Sequence, residues 1–598
     1  MNPAKNSNRK LVPIIAASSV GTLIEWYDFF IFGSLATIIS TEFFPKENPA
    51  AAFLATLATF SAGFIVRPFG AIVFGKMGDM IGRKYTFMIT LILMGGSTIG
   101  IGLVPTYSSI GFFAPFIVLI LRLLQGLAIG GEYGGAATYI AEQSPIKKRG
   151  LYTSWIQATT GMAFILSITV ILIIKHFMIP AAWESWGWRL PFLLSILLVG
   201  ISVYIRRKMS ESPLFAKAKA EGKTSLNPLK ESFARKENLK MVLLAFFSLT
   251  LGGGTLAWIG FYAQSFILKT LNVDYGQANT IIIVGILLGI PFFFFFGWLS
   301  DKIGRKNILL AGLLLGILGC RPIFSGMYHT VDLQQKIENT TAIKINNESE
   351  QEPDGKTLIT TTSQHFFTDG TILKEVSRKL TTADSRKSTS LKTITLNNTD
   401  KWKLIFLVFL LEFIFTVSYG PLAAFLVEMF PLKIRYTSLS LPYHFGYGII
   451  GGMAPYFASY FVEKASEANK PDYYLAGLSY PLIMMSISII IGIIYLKENK
   501  TESNVQISLS SKTDPLKKWL GLLWIALGMI AAWFGIFEMG IPKITSGMQE
   551  DIVFGIIMML IITPIVVVGL FLFGKYCLQG EYDNNLLLAN NVNEESAF

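Results

Sequence analysis

The sequence predicts an all-α membrane protein built from two similar halves, each with six spanning helices. Two short segments are nearly identical, Gly75-Lys-Met-Gly-Asp-Met-Ile-Gly-Arg-Lys84 and Gly297-Trp-Leu-Ser-Asp-Lys-Ile-Gly-Arg-Lys306. In each segment Asp follows the first Gly by four residues and Arg follows it by eight. Each segment lies between two apolar runs, and such a repeat is typical of membrane proteins whose two halves rock around a central site.

The composition excludes several classes of protein. The 598 residues are 52% hydrophobic and 15% charged, with a mean hydropathy of +0.51, whereas soluble domains carry about 25% charged residues. The net charge of +12 does not indicate a nucleic-acid partner, because Lys and Arg cluster in short loops between apolar runs. Cys320 and Cys577 lie far apart and provide neither a disulfide framework nor a metal-ligand spacing. We therefore expect a lipid bilayer around the chain, no metal and no cofactor.

Fourteen apolar runs are long enough to cross a bilayer, for which roughly 20 residues are needed. Six of them form the first half, near 11–40, 53–75, 86–104, 112–142, 150–176 and 188–206. Six form the second half, near 241–269, 277–300, 307–328, 404–428, 437–463 and 473–496. Two additional runs lie near 518–541 and 552–574. The first run is too long for a signal peptide and has no small-residue cleavage site, so we expect it to be retained as a helix.

The basic residues predict the orientation, because Lys and Arg are enriched in cytoplasmic loops. With the N-terminus inside, the cytoplasmic loops hold sixteen of them, namely Lys76, Arg83, Lys84, Lys147, Lys148, Arg149, Arg206, Arg207, Lys208, Lys302, Arg305, Lys306, Lys433, Arg435, Lys497 and Lys500. The short outer loops hold few, such as Lys46, Lys175 and Lys269. We expect a bacterial inner-membrane protein with both termini in the cytoplasm.

Residues 329–402 form an insertion on the predicted outer side. Gly75 and Gly297 are 222 residues apart, whereas the equivalent acids Glu142 and Glu428 are 286 residues apart. The second half is therefore longer by 64 residues, which is close to the length of this Thr-, Ser-, Asn- and Lys-rich segment. Thr-rich alternation within it indicates a small β-rich element, and a disordered linker is the alternative.

These features predict five parts of the chain. They are an N-terminal six-helix bundle (1–206), a cytoplasmic inter-bundle loop (207–240), a C-terminal six-helix bundle (241–328 and 403–497), the extracytoplasmic insertion (329–402), and a segment with two additional transmembrane helices and a cytoplasmic tail (498–598).

Five ionisable residues lie deep in the spans of the first half, namely Glu25, Asp28, Arg67, Arg122 and Glu132. Each costs about 2.5–3.5 kcal/mol at the centre of a membrane helix, so they are expected to face one another or a wet cavity. Three acids and two bases leave one carboxylate unmatched, and such a group can bind and release a proton. We expect Glu25 or Asp28 to carry the proton and Arg67 or Arg122 to pair with it or to bind a carboxylate of the solute. A purely structural polar cluster is the alternative.

Several motifs together resemble the metabolite:proton symporter family, a branch of the major facilitator superfamily. They are Glu25-Trp-Tyr-Asp28-Phe, Arg67-Pro-Phe-Gly, the two repeated turns, Arg122-Leu-Leu-Gln-Gly126, Gly130-Gly-Glu-Tyr-Gly-Gly135 and Glu428-Met-Phe-Pro-x-x-x-Arg435-Tyr. The resemblance covers residues 11 to about 497. Its members are similar to proline/betaine, shikimate, α-ketoglutarate and citrate permeases, which implies proton-driven import of small polar solutes. The Gly130–Gly135 segment lacks the Gly-Lys-Ser/Thr ending of a phosphate-binding loop, so we expect it to serve helix packing.

Two further sets of residues complete the predicted site. Charged and glycine residues at the repeated turns are expected to form a cytoplasmic gate, or alternatively only to set topology: Gly75, Asp79, Gly82, Arg83, Glu142, Arg149, Gly297, Asp301, Gly304, Arg305, Glu428 and Arg435. Polar and aromatic residues are expected to contact the solute, although plain packing is the alternative: Tyr133, Gln157, Trp258, Tyr262, Tyr419, Tyr443 and His444. Such rings can hold a quaternary ammonium group.

The chain departs from the family pattern at its C-terminal end. It has two spans beyond the usual twelve, and the tail from Lys575 has no heptad repeat, which disfavours the osmotic gating known in the family. We predict a proton-coupled symporter for a small organic acid or zwitterion, monomeric by default. Sodium coupling, antiport and a transporter-like receptor or scaffold are the alternatives, and an enzyme is not expected because no nucleophile–base pair or cofactor motif occurs.

Overall fold

The computed structural model describes residues 3–44, 52, 56, 59–60, 62–340, 343–351, 357–380, 388–500, 505–509, 515–545, 552, 555–556 and 558–579. In this part of the chain twelve helices are long and apolar enough to cross a membrane. They correspond to all the predicted spans except the second and the eleventh, which are also helical where they are described. Lys46, the start of the second span and the predicted tail beyond residue 579 lie outside the described residues.

Six helices form the N-terminal half. They are α1 (Pro3–Ser34), α2 (Arg67–Met80), α3 (Arg83–Leu103), α4 (Phe113–Gln143), α5 (Arg149–Phe177) and α6 (Ser195–Lys208). The segment between the halves contains a short helix, Pro213–Ala220, which begins at an N-cap where the Ser212 side chain accepts a hydrogen bond from the backbone N–H of Phe215.

Six helices form the C-terminal half. They are α7 (Lys236–Thr270), α8 (Tyr275–Ile303), α9 (Arg305–Val331), α10 (Asn398–Met429), α11 (Arg435–Tyr443, continued by Ala454–Glu467) and α12 (Tyr473–Tyr495). In α11 the two parts are joined by a π-helical segment, His444–Ile450. The halves contact each other along two helix pairs, with α5 packed on α8 and α2 packed on α11.

The repeated turns have the same backbone geometry in both halves. Gly82 precedes α3 with φ 135°, and Gly304 precedes α9 with φ 102°. L-residues with a side chain rarely adopt these angles, which explains the glycine at both positions. We call the end of the bundles that carries these turns the turn face, and the opposite end the insertion face.

The insertion forms a four-stranded antiparallel sheet, so the β-rich alternative describes it. Its strands are β1 (Lys344–Gln351), β2 (Thr357–Phe366), β3 (Ile372–Leu380) and β4 (Ser388–Thr395), in the order β1-β2-β3-β4. Because α9 extends to Val331 and α10 begins at Asn398, the non-helical segment is shorter than the predicted 329–402.

The sheet is fixed to the insertion face of the C-terminal half. The backbone of Ile394 in β4 accepts a hydrogen bond from the N–H of Asp274 (2.8 Å) and donates to the carbonyl oxygen of Asn272 (2.7 Å). At the base of the sheet the Lys336 ammonium lies 2.5 Å from carboxylate oxygens of both Asp369 and Asp400. Partial burial opposes ionisation of Asp369, but the hydrogen bond from Lys336 lowers the pKa of this carboxyl group to about 2.

The two additional helices also pack on the C-terminal half. They are α13 (Trp519–Ile544) and α14 (Met558–Leu578), and they pack closely on each other because Gly521 and Gly574 face each other across the helix pair. The ring of Phe573 in α14 contacts Phe247 of α7 (5.5 Å between centroids) and Tyr495 of α12 (5.3 Å). A hairpin of β5 (Leu496–Lys500) and β6 (Val505–Leu509) follows α12.

Replacing Lys336 by Met is expected to loosen the sheet from the bundle. The substitution leaves two acids without their shared cation, and we expect the free energy of local opening of the sheet to fall by about 1–3 kcal/mol. Breaking a fully buried ion pair costs about 3–5 kcal/mol, and the loss here is smaller because one of the acids is partly exposed. Hydrogen exchange of the β3 and β4 amides measures this loss. Lys392→Met is the control, since its pair with Glu375 is exposed; equal protection in both variants would refute the anchoring role.

Candidate functional site

A cavity lies between the two halves near the middle of the helices. Its empty volume, open solvent space included, is about 420 Å³. The lining is mostly aromatic and comes from both halves: Trp26, Phe30, Arg67, Thr160, Ala257, Trp258, Phe261, Phe415, Tyr419, Tyr443 and Tyr447. Of the five buried charges predicted from the sequence, Arg67 is the one that lines this cavity.

Arg67 is a buried cation without an ion-pair partner among the described residues. Its side chain is enclosed by rings, with the guanidinium carbon 5.1 Å from the Trp26 centroid, 4.6 Å from Phe29 and 4.1 Å from Phe64. Its Nε and Nη2 atoms have no hydrogen-bond partner in this part of the chain. Cation–π contacts offset part of the cost of burying the charge, and an anion in the cavity would offset more.

Arg122 and Asp28 are joined through two neutral side chains. Arg122 donates from Nη1 to Oε1 of Gln125 (2.7 Å), and Nε2 of Gln125 donates to Oγ1 of Thr98 (2.7 Å). Thr98, whose hydroxyl group donates to the carbonyl oxygen of Met94 (3.0 Å), lies next to Asp28, and Asp28 accepts a hydrogen bond from Ser195. Asp28 is therefore surrounded by hydroxyl groups and has no cation within ion-pair distance among the described residues.

Glu25 and Glu132 form a buried carboxyl pair together with Arg206. One carboxylate oxygen of Glu25 lies 2.9 Å from Nη2 of Arg206, and the carboxyl group of Glu132 adjoins that of Glu25. All three side chains are buried. Two adjoining buried carboxylates repel each other when both are ionised, so binding of a proton to one of them is favoured. We call these three residues the acid pair site.

The expected pairing of Arg67 or Arg122 with an acid therefore differs from the structure. Among the described residues, neither arginine has a carboxylate within ion-pair distance, and Arg206 takes that role for Glu25. Sequence reasoning counted Arg206 only as a topology-setting charge, because it lies in the basic run that ends α6. Its long side chain reaches back into the bundle to Glu25, whereas Lys and Arg near helix ends more often extend their charged groups towards water.

The predicted aromatic and polar residues meet at the interface of the halves. Nε2 of Gln157 donates to the Tyr133 hydroxyl (3.1 Å) and to the carbonyl oxygen of Tyr419 (3.0 Å). The hydroxyl groups of Tyr419 and Tyr443 are 2.7 Å apart, and Tyr443 stacks on Tyr133. Two of these contacts cross between the halves, namely the Gln157–Tyr419 hydrogen bond from α5 to α10 and the Tyr133–Tyr443 stacking from α4 to α11.

Three other predicted residues have different surroundings. Trp258 lines the cavity and donates from Nε1 to the carbonyl oxygen of Tyr447 (2.8 Å). Tyr262, one turn further along α7, stacks on Phe324 with 5.3 Å between centroids and is not part of the cavity lining. His444 is fully buried in the π-helical segment of α11, also outside the lining.

The predicted gate residues form two clusters at the turn face, which we call latches. In the first latch Asp79 lies 3.3 Å from Arg83, and Glu142 lies 3.2 Å from Arg83 and 3.6 Å from Arg435 of the other half. Asp79 also accepts hydrogen bonds from the backbone N–H groups of Tyr436 (3.3 Å) and Thr437 (2.9 Å). It therefore binds the N-terminus of α11, where the helix dipole favours a negative charge.

The second latch repeats the first with the halves exchanged. Asp301 accepts hydrogen bonds from the N–H groups of Gly150 (2.8 Å) and Leu151 (2.9 Å) at the start of α5. Arg305 lies 3.1 Å from Asp301 and 2.9 Å from Glu428, and Glu428 lies 3.4 Å from Arg149. Gly75 and Gly297 allow the close contact, since an added Cβ would lie 3.0 Å from Thr437 and 2.7 Å from Gly150, respectively. Each latch holds two acids and two bases, so it is neutral overall.

A third pair of acids supports the latches and was not predicted from the sequence. Glu211, after α6, accepts from the N–H groups of Arg83 and Lys84 (3.2 Å each). Glu498, after α12, accepts from those of Arg305 (2.8 Å) and Lys306 (2.7 Å). The two acids are 287 residues apart, close to the 286 that separates Glu142 and Glu428, so the internal repeat was a usable signal. With both latches formed, the turn face is closed.

Two family models match parts of the chain. Residues 14–243 match the family described as sugar (and other) transporter. Residues 513–584, which include α13 and α14, match a family of unknown function, DUF6814.

Three relatives are transport proteins. The chain is 34% identical over 322 residues to the shikimate transporter of Escherichia coli K12, covering 52% of this chain and 71% of that one. It is 29% identical over 471 residues to a Staphylococcus haemolyticus protein named as a proline/betaine transporter, covering 78% and 84%. It is 29% identical over 503 residues to the inner membrane metabolite transport protein YhjE of Escherichia coli, covering 83% and 96%.

A solved structure shares the fold. The proton:xylose symporter XylE of E. coli aligns with a TM-score of 0.58 at 16% identity, covering 82% of this chain and 95% of that chain. At this identity the similarity concerns the fold, and it confirms the predicted architecture of two six-helix halves.

Removing the charge of both latch aspartates is expected to open the turn face. Asp79→Asn removes an ion pair and a negative charge at a helix N-terminus, which should destabilise the closed turn face by about 1–2 kcal/mol. Asp301→Asn should destabilise it by a similar amount. Spin labels at Ile81 and Ile303, which are exposed on opposite halves, report the distance across this face by pulsed electron paramagnetic resonance. The double variant should populate longer distances than either single one, whereas Glu221→Gln, an exposed control, should not. An unchanged distance distribution in the double variant would contradict the latch function.

Proposed function

Because the chain belongs to the major facilitator superfamily, within the metabolite:proton symporter family, we propose that it imports a small organic acid or zwitterion together with protons by alternating access. Members of this superfamily are transporters and not enzymes, and the chain is a multi-pass membrane transporter of metabolites. The proposal places it in a bacterial inner membrane with both termini, and therefore the turn face, in the cytoplasm.

The unpaired guanidinium of Arg67 is the observation that carries the proposal. It is buried at the centre of the molecule, lines the cavity and has no carboxylate of the described chain within ion-pair distance. A buried cation without a partner is costly, and a planar guanidinium binds a carboxylate through two parallel hydrogen bonds. A solute carboxylate is therefore the natural occupant of the site.

The remaining lining restricts the body of the solute. The Tyr419 and Tyr443 hydroxyls bond to each other, and Nε1 of Trp258 is used by a backbone carbonyl oxygen. Tyr447 has a hydroxyl without a partner among the described residues. With few free polar groups, the cavity fits a sugar with many hydroxyl groups poorly. It fits a compact carboxylate whose body is apolar or carries a quaternary ammonium group.

Charge balance supports proton coupling. Arg67 contributes one unpaired positive charge at the cavity, and the acid pair site has one net negative charge when both of its acids are ionised. Binding one carboxylate at Arg67 and one proton at the acid pair site would neutralise both. Transfer of the solute and the proton together would then leave no uncompensated charge in the membrane interior.

Uptake into proteoliposomes with an imposed pH gradient tests the proposed function. The labelled solutes are a dicarboxylate, shikimate and betaine, and a parallel experiment replaces the pH gradient by a sodium gradient. We expect at least one solute to accumulate above equilibrium only with the pH gradient. Accumulation driven by sodium alone would change the coupling ion, and no accumulation of any solute would argue against the proposal.

Replacing Arg67 by Lys is expected to weaken solute binding. Lys keeps the charge but loses the two-point contact, which is worth roughly 1.5–3 kcal/mol, so KM should rise by about 10- to 100-fold. Arg189→Lys is the control, because Arg189 also stacks on a tryptophan but lies outside the cavity lining. An equal KM in the Arg67 variant and wild type would remove this residue from the solute site.

The proton-binding group can be identified by measuring counterflow exchange of the solute and its pH-driven accumulation separately in each variant. Glu25→Gln and Glu132→Gln mimic the protonated acid, so counterflow exchange of solute should persist while accumulation driven by the pH gradient is lost. Asp28→Asn serves as the comparison, because Asp28 lies in the separate hydroxyl network. Full accumulation in all three variants would exclude these carboxyl groups as proton carriers.

A further inference from the structure

We infer that Tyr436 is a removable plug that covers the acid pair site from the turn face, so that opening of this face exposes the pair to water and releases its proton. This inference rests on the proposed function, which supplies the proton cycle. It assigns to one residue of the C-terminal half the control of access to a site that lies entirely in the N-terminal half.

Tyr436 crosses from α11 into the opposite half. Its side chain is fully buried, and its hydroxyl group donates a hydrogen bond to the carbonyl oxygen of Gly131 in α4. That carbonyl belongs to the peptide bond that leads into Glu132. The ring therefore ends directly at the backbone that holds one member of the acid pair.

Three glycines form the socket that receives this ring. A Cβ at Gly78 of α2 would overlap carbon atoms of the Tyr436 ring, a Cβ at Gly134 would lie 2.9 Å from the ring, and a Cβ at Gly135 would lie 2.6 Å from the hydroxyl oxygen. Real Cβ atoms are not found at such distances. The Gly130–Gly135 segment thus has a role beyond helix packing, since it accommodates a side chain from the other half.

The first latch positions the plug. Asp79 accepts hydrogen bonds from the N–H groups of Tyr436 and Thr437, so it holds the residue that carries the ring. Opening of the turn face must break these contacts, because Asp79 and α11 belong to different halves. The same movement withdraws the ring from the glycine socket.

The internal repeat shows that the plug is specific to the half that contains the acids. At the offset of 286 residues that relates Glu142 to Glu428 and Arg149 to Arg435, Tyr436 corresponds to Gly150 and Glu132 corresponds to Ser418. Asp301 binds the N–H of Gly150 just as Asp79 binds that of Tyr436. The half without a buried acid at this position therefore receives a glycine in place of a large ring.

Few other charged groups face the acid pair. Arg206 approaches from α6, where its guanidinium lies against Gly21 of α1. From α11 the facing group is Tyr436, and on the turn side the next charges are Asp79 and Arg83 of the first latch. Tyr436 is therefore near both the first latch and the two acids of the pair.

The test compares accumulation with counterflow in proteoliposomes. Tyr436→Ala should lower the accumulation ratio driven by the pH gradient by about tenfold or more, while counterflow stays within about twofold of wild type, as expected for a lost coupling free energy. Tyr436→Phe keeps the ring and should retain coupling. Tyr139→Phe is the control, because it removes a similar bond to a backbone carbonyl, that of Ser210, within one half.

A second variant guards against a simple folding defect. Gly78→Ala should displace the Tyr436 ring and cause the same uncoupling. When Tyr436→Ala is present in the same chain, the methyl group added at Gly78 should have no effect beyond that of Tyr436→Ala alone. Gly96→Ala is the matched control, since a Cβ there meets nothing within 4 Å. If wild type shows no proton-driven uptake, the proposed function fails. If wild type is coupled and both Tyr436→Ala and Gly78→Ala keep wild-type accumulation, the plug fails and the proposed function stands.

Discussion

The cost of placing charge inside a membrane protein is the constraint on which the structure depends. Each latch combines ion pairs within one half with one ion pair across the interface, Glu142–Arg435 in the first and Glu428–Arg149 in the second, so the two latches are complete only when that face is closed. The charges near the centre are treated differently. Arg67 is left with aromatic rings alone, and the acid pair site holds one acid more than its single arginine balances. Uncompensated charge is therefore present at both places where a solute and a proton are proposed to bind.

Some features of this molecule repeat in both halves, others occur in one half only, and the two groups have separate roles. The latches and the supporting acids Glu211 and Glu498 repeat in both halves, and this equivalence suits two bundles that rock against each other. The acid pair site occurs in the N-terminal half only, and the plug that covers it comes from the other half. The added elements follow a third pattern, since both the sheet and the α13–α14 pair are attached to the C-terminal half. They can move with that half without crossing the interface.

Patterns in the sequence predicted the fold and the latches, because both depend on local signals. Apolar runs of membrane length predict the spans, and the repeated Gly–Asp–Gly–Arg spacing predicts two equivalent turns. The partner of Glu25 was not predictable in this way. Arg206 lies 181 residues further along the chain, and only the packing of α6 on α1 brings the two together. The same applies to Tyr436, whose contact with Gly131 depends on how the halves meet. The sheet was one of two open alternatives, because Thr-rich alternation also fits a linker.

Proton uptake on solute binding tests the central claim most directly. The claim is that a carboxylate at Arg67 and a proton at the acid pair site neutralise two complementary charges. Calorimetric titration of the purified protein with the transported solute, in buffers of different ionisation enthalpy, gives the number of protons bound per solute. The account predicts net proton uptake that rises with pH as the pair becomes ionised, and that is abolished in Glu25→Gln while binding remains. Binding heats that are independent of the buffer at every pH would contradict it.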